Sequence, residues 1–308
     1  MDLRQLRAFV AVAEELHFTR AAERLQVAQS AVSAQVRALE RELGAPLLRR
    51  STRSVAMTTL GAAFLDDARD ILSRVDAARS RARRATGAER ERLVVGCLGP
   101  APGELLTPAL ARLAEAEPHA DVEVRTFDFA EILPAVRTGR ADVAFAYLPY
   151  AAAELEELDV LALGAERRVV VVARSHPLAS ARSLRPADLV GEVFVSHPDE
   201  VSQTWRDFWL LTAQLGGHRP PTAARAARTL DDWLHLISSG EGIDTAPALV
   251  ARYCSWPGLA CVPLDDAPAA RPALLRRRDC AARLTTCFAD VVRELAAPVT
   301  RPSAPAAA

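Results

Sequence analysis

The sequence predicts an α/β multidomain protein with a helical front part, a long connecting helix and a rear part of two α/β lobes. Three observations support this fold class. Helical periodicity runs through the first ninety residues almost without interruption. A narrow apolar stripe then extends from Thr59 to about Arg84 with no proline. From Leu93 onward, short apolar strands alternate with amphipathic helices, which is typical of a sheet covered by helices.

Composition and charge narrow the function classes. Half of the residues are hydrophobic and a quarter are charged, as in globular proteins. No apolar run approaches the roughly 18 residues that a membrane span needs, and no export signal precedes the first helix, so we expect a cytoplasmic protein without membrane contact. Residues 1–90 carry 16 arginines against 11 acidic residues, an excess that favours a polyanionic partner. The five cysteines include no CxxC pair and are expected to be reduced.

The front part begins with three predicted helices. The first covers about residues 2–15, and the second covers residues 20–25 with Thr19 as its N-cap. After a turn at residues 26–28, the third helix covers about residues 29–43 and ends at Gly44. Two helices joined by a three-residue turn form a helix-turn-helix arrangement.

The third helix is predicted to have one apolar and one polar face. At about 100° per residue, a stripe of four apolar residues lies opposite small polar and arginine side chains. Such side chains fit a DNA major groove, where Gln, Ser and Arg contact base edges or phosphates. Arginine-bearing helical hairpins also occur in bundles that never touch DNA. The apolar stripe is Val32, Val36, Leu39 and Leu43; the polar face is Ser30, Ala34, Arg37 and Arg41, flanked by Gln29 and Ser33.

Residues 47–57 predict a β-hairpin wing. Two short apolar segments flank a polar tip at residues 51–54. Arg53 at the tip is placed to enter a minor groove, while Arg49 and Arg50 are placed to meet phosphates.

Residues 16–33 (LHFTRAAERLQVAQSAVS) resemble the N-terminal signature of LysR-type transcriptional regulators. The resemblance continues through residues 35–40, 43–44, 47–48 and 58–61, and covers about residues 3–65 without a gap. One departure is Ala34, at a position where this family usually has arginine, so one DNA contact is expected to be missing. The predicted DNA-binding residues are Thr19, Arg20, Gln29, Ser30, Ser33, Gln35, Arg37, Arg49, Arg50 and Arg53.

A helix as long as residues 59–84 with one narrow apolar stripe needs a partner surface. Packing onto its own domain is one possibility. The resemblance instead implies antiparallel pairing with a second copy, which gives a homodimer or homotetramer that reads a partly palindromic operator in double-stranded DNA. The predicted dimerisation residues are Leu60, Phe64, Ala68, Ile71, Leu72 and Val75.

The rear part resembles the two-lobe, periplasmic-binding-protein-like α/β sensor domain of the same family. The expected organisation is a winged helix-turn-helix at 1–58, a linker helix at 59–88 and a disordered tail at 299–308. Lobe I is expected at 89–163 plus 268–298, and lobe II at 164–267.

Ligands of open α/β sheets sit beyond the carboxyl ends of the strands, here between the lobes. After the first strand, Pro100 and Ala101 offer no hydroxyl, and proline has no N–H. We therefore expect a poor anion site and a small, partly apolar effector. The predicted effector-binding residues are Gly99, Pro100, Ala101, Tyr147, Ser196, His197, Ser202, Gln203, Thr229 and Thr245.

Two other function classes were weighed. An enzyme would need a convergent set of titratable groups, and no such motif, metal-ligand spacing or cofactor fingerprint is present in the sequence. A solute-binding protein would need an export signal and no basic helical head. We therefore expect a bacterial, nucleoid-associated transcription regulator that needs no cofactor or metal, is modulated by an effector and contacts RNA polymerase if it is an activator.

Overall fold

The computed structural model describes residues 1–50, 55–85, 92–99, 103–253, 256–280 and 282–296. The chain forms two compact units, residues 1–88 and residues 89–308. No helix within the described ranges has the length and apolar character that crossing a membrane requires.

The first unit is a winged helix-turn-helix followed by a long helix, as the sequence predicts. Its core is formed mainly by Phe9, Val12, Val36 and Leu39, all of them fully buried. The stripe predicted on the third helix is therefore confirmed except for Leu43, which is exposed. The elements are α1 (Leu3–Glu15), α2 (Phe18–Leu25), α3 (Gln29–Leu43), β1 (Leu48–Arg50), β2 (Val55–Met57) and α4 (Thr59–Ala85).

The start of α2 differs from the prediction. His17, rather than Thr19, is the N-cap, and its Nδ1 accepts hydrogen bonds from the backbone N–H groups of Thr19 at 3.2 Å and Arg20 at 3.4 Å. Thr19 lies inside the first turn. The prediction relied on the preference for short hydroxyl side chains at this position, whereas an imidazole nitrogen fills the same role here.

The wing is an antiparallel pair in which Leu48 faces Met57 and Arg50 faces Val55. Thr58 joins the wing to α4, because its Oγ accepts the Gly61 N–H at 2.9 Å. A side chain at Gly61 would collide with the carbonyl of Leu47, which explains the glycine near the start of α4.

The first half of α4 packs on its own helix-turn-helix core. Ala68 is fully buried there, the ring of Phe64 lies 5.6 Å from that of Phe9, and Ile71 and Leu72 pack against the same cluster. Ala68 is thus enclosed by its own head, whereas Phe64, Ile71 and Leu72 are only half-buried by these contacts, and their pairing with a second copy stays a prediction. The predicted seam therefore serves the interior of the head over its first half.

Among its described residues, the second unit contains ten β-strands and six α-helices. In chain order they are β3 (Arg92–Cys97), α5 (Gly103–Ala116), β4 (Asp121–Thr126), α6 (Ile132–Thr138), β5 (Val143–Leu148), β6 (Leu158–Ala162), β7 (Arg168–Ala173), β8 (Phe194–Ser196), α7 (Gln203–Trp209), β9 (Thr222–Ala226), α8 (Leu230–Ser238), β10 (Asp244–Pro247), α9 (Leu249–Tyr253), β11 (Leu259–Leu264), β12 (Arg271–Arg277) and α10 (Arg283–Ala296).

One sheet has five strands in the order β4-β3-β5-β12-β6. The pairs β3–β4 and β3–β5 are parallel, as the βαβαβ pattern predicts, whereas β12 runs antiparallel to β5 and β6. Side chains alternate across this sheet. Val143 and Phe145 join the cluster with α5 and α10, while Ala144 and Ala146 join the cluster with α6.

The second sheet is antiparallel throughout. It has three strands in the order β10-β7-β11, and both neighbours run antiparallel to β7. The two chain segments that connect the sheets pair with each other, because Glu166 and Ala270 exchange backbone hydrogen bonds of 2.8 and 2.9 Å.

Candidate nucleic-acid interface and ligand cavity

The outward face of α3 carries the side chains that the sequence predicts for DNA contact. Gln29, Ser30 and Arg37 are exposed, and Gln35 is half-buried. Ser33 is only 9% exposed, so its expected place on the flank of the polar face is corrected to one largely covered by its own domain. The helical angle alone placed Ser33 at the boundary of the two faces. At that boundary, the packing of α2 against α3 determines whether a side chain is buried.

On α2, Thr19 and Arg20 are exposed. Arg20 is also held to α1, because its guanidinium contacts the Glu15 carboxylate at 3.3 Å and donates to the Glu15 carbonyl. Arg49 of the wing is exposed. The side chain of Arg50 and all of Arg53 lie outside the described residues.

A cavity in the second unit lies beyond the carboxyl ends of three strands of the five-stranded sheet. Leu98 follows β3, Phe129 follows β4 and Tyr147 stands near the end of β5. The opposite wall comes from α7, α8, α9, strand β10 and the segment after β8. About 650 Å³ of space is not filled by atoms, part of it open to solvent. The opposite wall is made by His197, Trp205, Trp209, Leu230, Trp233, Asp244, Thr245, Ala246, Pro247, Leu249 and Val250.

Aromatic rings dominate this cavity. The rings of Trp205 and Trp209 lie 5.7 Å apart, and Tyr147 stands edge-on to Trp209 at 6.0 Å. On the other side of Trp205, the His197 ring is 5.3 Å away and touches Phe129 at 4.9 Å. Each ring is braced by its neighbours in tilted or edge-to-face geometry, so the wall is largely preformed.

Asp244 is the one carboxyl group among the described residues of the cavity wall. Its Oδ2 accepts the Trp233 indole N–H at 2.6 Å, and its Oδ1 accepts the Thr245 backbone N–H at 2.8 Å. Burial raises the pKa of Asp244 to about 7. Burial, with a smaller effect of Arg206, lowers the pKa of His197 to about 4, so the imidazole is neutral.

Arg168 lies behind the cavity wall and is 2% exposed. Its guanidinium carbon stands 4.5 Å from the ring centre of Phe208 and 4.9 Å from that of Trp209. Its Nη2 donates to the carbonyls of Phe208 at 3.1 Å and Trp209 at 3.0 Å, and to the hydroxyl of Thr245. Burial lowers its pKa to about 10. The arginine thus joins α7 to β10.

Three of the predicted effector residues, Tyr147, His197 and Thr245, line this cavity. Gly99 lies against Leu230 of the wall, and its φ of +58° together with this close approach explains the glycine.

The other predicted effector residues have local roles or lie elsewhere. Ser202 caps α7 and donates to Glu154 Oε2 at 2.8 Å, and Thr229 caps α8. Ser196 and the exposed Gln203 lie outside the wall. Pro100 and Ala101 fall outside the described residues.

Sequence reasoning missed the three tryptophans and Asp244. One signal for the tryptophans was available, since three of the four in the chain fall within residues 205–233 while aromatic residues make up only 5% of the sequence. For Asp244 no local signal exists, because its burial depends on the packing of β10 between α8 and β7.

Cysteine and metal chemistry receive no support from the described ranges. Cys97 is buried, and burial raises the pKa of its thiol. Within the same ranges, no three His, Cys, Asp or Glu side chains stand close enough together to hold a metal ion.

Both units match known families. Residues 3–62 match the bacterial regulatory helix-turn-helix protein family of the lysR type, and residues 86–297 match the LysR substrate binding domain. Among curated relatives, the Hca operon transcriptional activator HcaR of Escherichia coli is 39% identical over 256 residues, with 82% of this chain and 84% of the relative covered. BenM of Acinetobacter baylyi, an HTH-type transcriptional regulator, is 31% identical over 281 residues, with 91% and 90% covered.

Solved structures agree with this relationship. CbnR, a LysR family transcriptional regulator, matches with a TM-score of 0.64 at 26% identity, covering 96% of this chain and 99% of CbnR. CbnR complexed with its target DNA matches with a TM-score of 0.63 at 25% identity, covering 96% and 100%. These relatives are regulators, which confirms the prediction of a non-enzymatic function. The chain belongs to the LysR family and is a DNA-binding transcriptional regulator with an effector-binding domain.

Proposed function

We propose that the exposed face of α3 reads the operator and that the wing holds the DNA backbone. The observation that carries this proposal is the exposure of Gln29, Ser30 and Arg37 on one face of a helix whose other face forms the core. Arg49 then meets a phosphate, Arg20 and Thr19 approach the backbone, and Gln35 supports the rim. Arg50 and Arg53 are assigned to the wing contact from the sequence alone.

The DNA-binding form is a homodimer or a pair of dimers on a partly palindromic site. One head contacts too few base pairs to select a genomic site, which supports this arrangement. Because the first half of α4 is occupied by its own head, the pairing surface is Leu60, which is exposed, together with the half-buried Val75 and the outer sides of Ile71 and Leu72.

The effector binds between lobe I, residues 89–163 with 268–298, and lobe II, residues 164–267. The division of the two sheets between these segments supports the boundaries. The tail predicted at residues 299–308 lies outside the described residues. An effector that favours one arrangement of the lobes shifts the spacing of the heads on DNA. Because its partner is DNA, the protein acts in the bacterial cytoplasm, at the nucleoid. If it is an activator, it also contacts RNA polymerase.

A gel-shift assay with the DNA upstream of the protein's own gene tests the proposal. Gln29→Ala is expected to change the ranking of operator variants by about 1–3 kcal/mol at one base pair, because one base-edge contact is lost. Gln214→Ala, an exposed glutamine of the second unit, is the matched control and leaves the ranking unchanged. The proposal is wrong if the full-length protein shows no sequence preference, or if both variants behave alike.

A further inference from the structure

We propose that the cavity binds a small uncharged aromatic molecule whose hydroxyl or N–H group donates to Asp244, and that it discriminates against aromatic carboxylates. This inference deepens the proposed function and rests on it, since it assigns a ligand class to the proposed effector site.

The shape of the wall selects an aromatic ring. Trp205, Trp209, Tyr147 and Phe129 present ring faces and edges from both sides of the cavity. Offset and edge-to-face contacts with such rings favour a planar aromatic ligand over an aliphatic one of equal size. The aromatic lining therefore sets the apolar part of the ligand.

The charges around the cavity disfavour an anion. None of the described wall residues is an arginine, and the chain contains no lysine. The described wall residues include three ionisable side chains: Asp244, the neutral imidazole of His197, and Tyr147, whose phenol is kept neutral because burial raises its pKa. The indole N–H groups of Trp205 and Trp209 are buried without a hydrogen-bond partner in the described part of the chain, and they are neutral donors that a hydroxyl oxygen can use. A carboxylate entering this wall would exchange its hydration for such neutral donors without gaining a cation, and it would stand near a second carboxyl group.

Arg168 stands behind this wall and is not among the residues that line it. Its Nη2 is engaged, whereas its buried Nε and Nη1 have no hydrogen-bond partner in the described part of the chain. Arg168 is sandwiched against Phe208 and Trp209, and its Nη2 donates to two carbonyls and to Thr245. A ligand carboxylate could reach it only by displacing Thr245 or Trp209. Arg168 therefore balances Asp244 at a distance and is not offered to a ligand.

The helix starts beside the cavity are likewise occupied. Helix N-termini are common anion sites. At α8, however, the Asp232 carboxylate accepts the backbone N–H groups of Arg228 and Thr229 at 3.2 and 3.1 Å. At α5, Glu104 stands in the first turn and pairs with Arg252 at 2.7 Å. Both positions carry a negative charge of the protein itself.

Asp244 supplies the polar contact for the ligand. A carboxylate has about four acceptor sites. Trp233 and the Thr245 N–H use two of them, and both hold the group in place at the wall. A neutral donor can use a remaining site without adding net charge next to Arg168, whereas a cation would leave an unbalanced positive charge.

Calorimetry on the full-length protein at pH 7.5 tests the inference with benzyl alcohol, toluene and benzoate, which share one ring and nearly one size. Benzyl alcohol is expected to bind about fivefold more tightly than toluene, which lacks the donor. Benzoate is expected to bind at least about tenfold more weakly than benzyl alcohol because its charge is buried unpaired. Equal or tighter binding of benzoate, or no binding of any probe, overturns the inference.

Two variants locate the effect. In Asp244→Asn, the affinity for benzoate is expected to rise relative to that for benzyl alcohol, because the repelling carboxyl group is gone. The control Asp231→Asn changes an exposed residue outside the cavity wall, and it is expected to keep the order of affinities of the unmodified chain. Val250→Trp fills the cavity and is expected to abolish binding of all three probes while the thermal transition remains, so it covers the case in which Asp244→Asn fails to fold. An unchanged order in a folded Asp244→Asn overturns the inference.

A gel shift on the same preparations separates the two proposals. Retained operator binding with the wrong probe order refutes only the ligand class. Loss of sequence-specific DNA binding in the unmodified chain refutes the proposed function, whatever the probes do.

Discussion

The buried carboxyl group of Asp244 makes the stability of the second unit depend on pH. Its pKa in the folded chain is about 7, against an ordinary value of 3.8. Between these values the folded state binds more protons than the unfolded state, so this group's contribution to stability falls as the pH rises from about 4 to about 7.

We therefore expect the stability of Asp244→Asn, relative to that of the unmodified chain, to increase as the pH rises. The difference in melting temperature, variant minus unmodified, becomes more favourable to the variant at pH 8 than at pH 5.5, as measured by circular dichroism. Taking the difference cancels the opposite trend from His197, which both chains share. Asp231→Asn should run parallel to the unmodified chain, and a parallel course for Asp244→Asn would contradict the prediction.

Individual side-chain roles could be predicted only where the local sequence decides them. Gly44 ends α3 in the left-handed region at φ +72°, as its position predicted. The N-cap of α2 was assigned wrongly to Thr19. Threonine is generally preferred at N-caps, but His17, two residues earlier, performs the role here. The cavity tryptophans come together through contacts between distant segments, which no local pattern encodes.

At the scale of elements, the wing strand that carries Arg49 is expected to add affinity rather than specificity. Arg49→Ala should weaken binding about equally for all sequences and lower the slope of log K against log salt by about 1, because one phosphate contact is lost. The salt dependence of fluorescence anisotropy measures this.

Arg112→Ala serves as the control for Arg49→Ala, since Arg112 is an exposed arginine of the second unit. Equal slopes for the two variants would show that Arg49 makes no phosphate contact, and they would contradict the proposed role of the wing.

The long helix α4 should divide into an inner and a pairing half. Val75 is half-buried and lies beyond the residues that pack on the head. Val75→Asp is therefore expected to weaken self-association at least about a hundredfold, since a buried unpaired carboxylate costs several kcal/mol. Sedimentation velocity measures the change, and the exposed Arg74→Ala on the same turn is the control. An unchanged oligomer would place the pairing surface elsewhere.

Long elements with clear periodicity were predictable, and short strands without it were not. The 27-residue α4 covers the stripe predicted over residues 59–84, while the end of the linker predicted at residue 88 lies outside the described residues. The strand β6 was missed because its residues alternate weakly and it lies at the sheet edge, where it pairs only with β12. The antiparallel pairing in the second sheet was not predicted, for a different reason. Alternation of strands and helices along a chain favours parallel pairing.

The paired connections at Glu166 and Ala270 link the two sheets of the second unit, and we expect the two proposed lobes to move about this pair. Ala270→Pro removes the N–H that donates to the Glu166 carbonyl at 2.9 Å. Losing one such bond shifts the balance between lobe arrangements by about fivefold.

We expect Ala270→Pro to keep operator affinity and to change the effector response by that factor, as read by a gel shift with and without ligand. Ala269→Pro, at the exposed neighbouring residue, is the control. A response identical to that of the unmodified chain would show that these connections do not govern lobe motion.

The late position of β12 in the chain bears on how a nascent protein acquires its shape. Strands β5 and β6 emerge from the ribosome early, yet the strand that joins them arrives about a hundred residues later, after the whole three-stranded sheet has been translated. The lobe that begins first is thus completed last. A chain released before residue 277 would leave two strand edges uncovered and prone to aggregation, so premature termination should yield insoluble rather than merely inactive product.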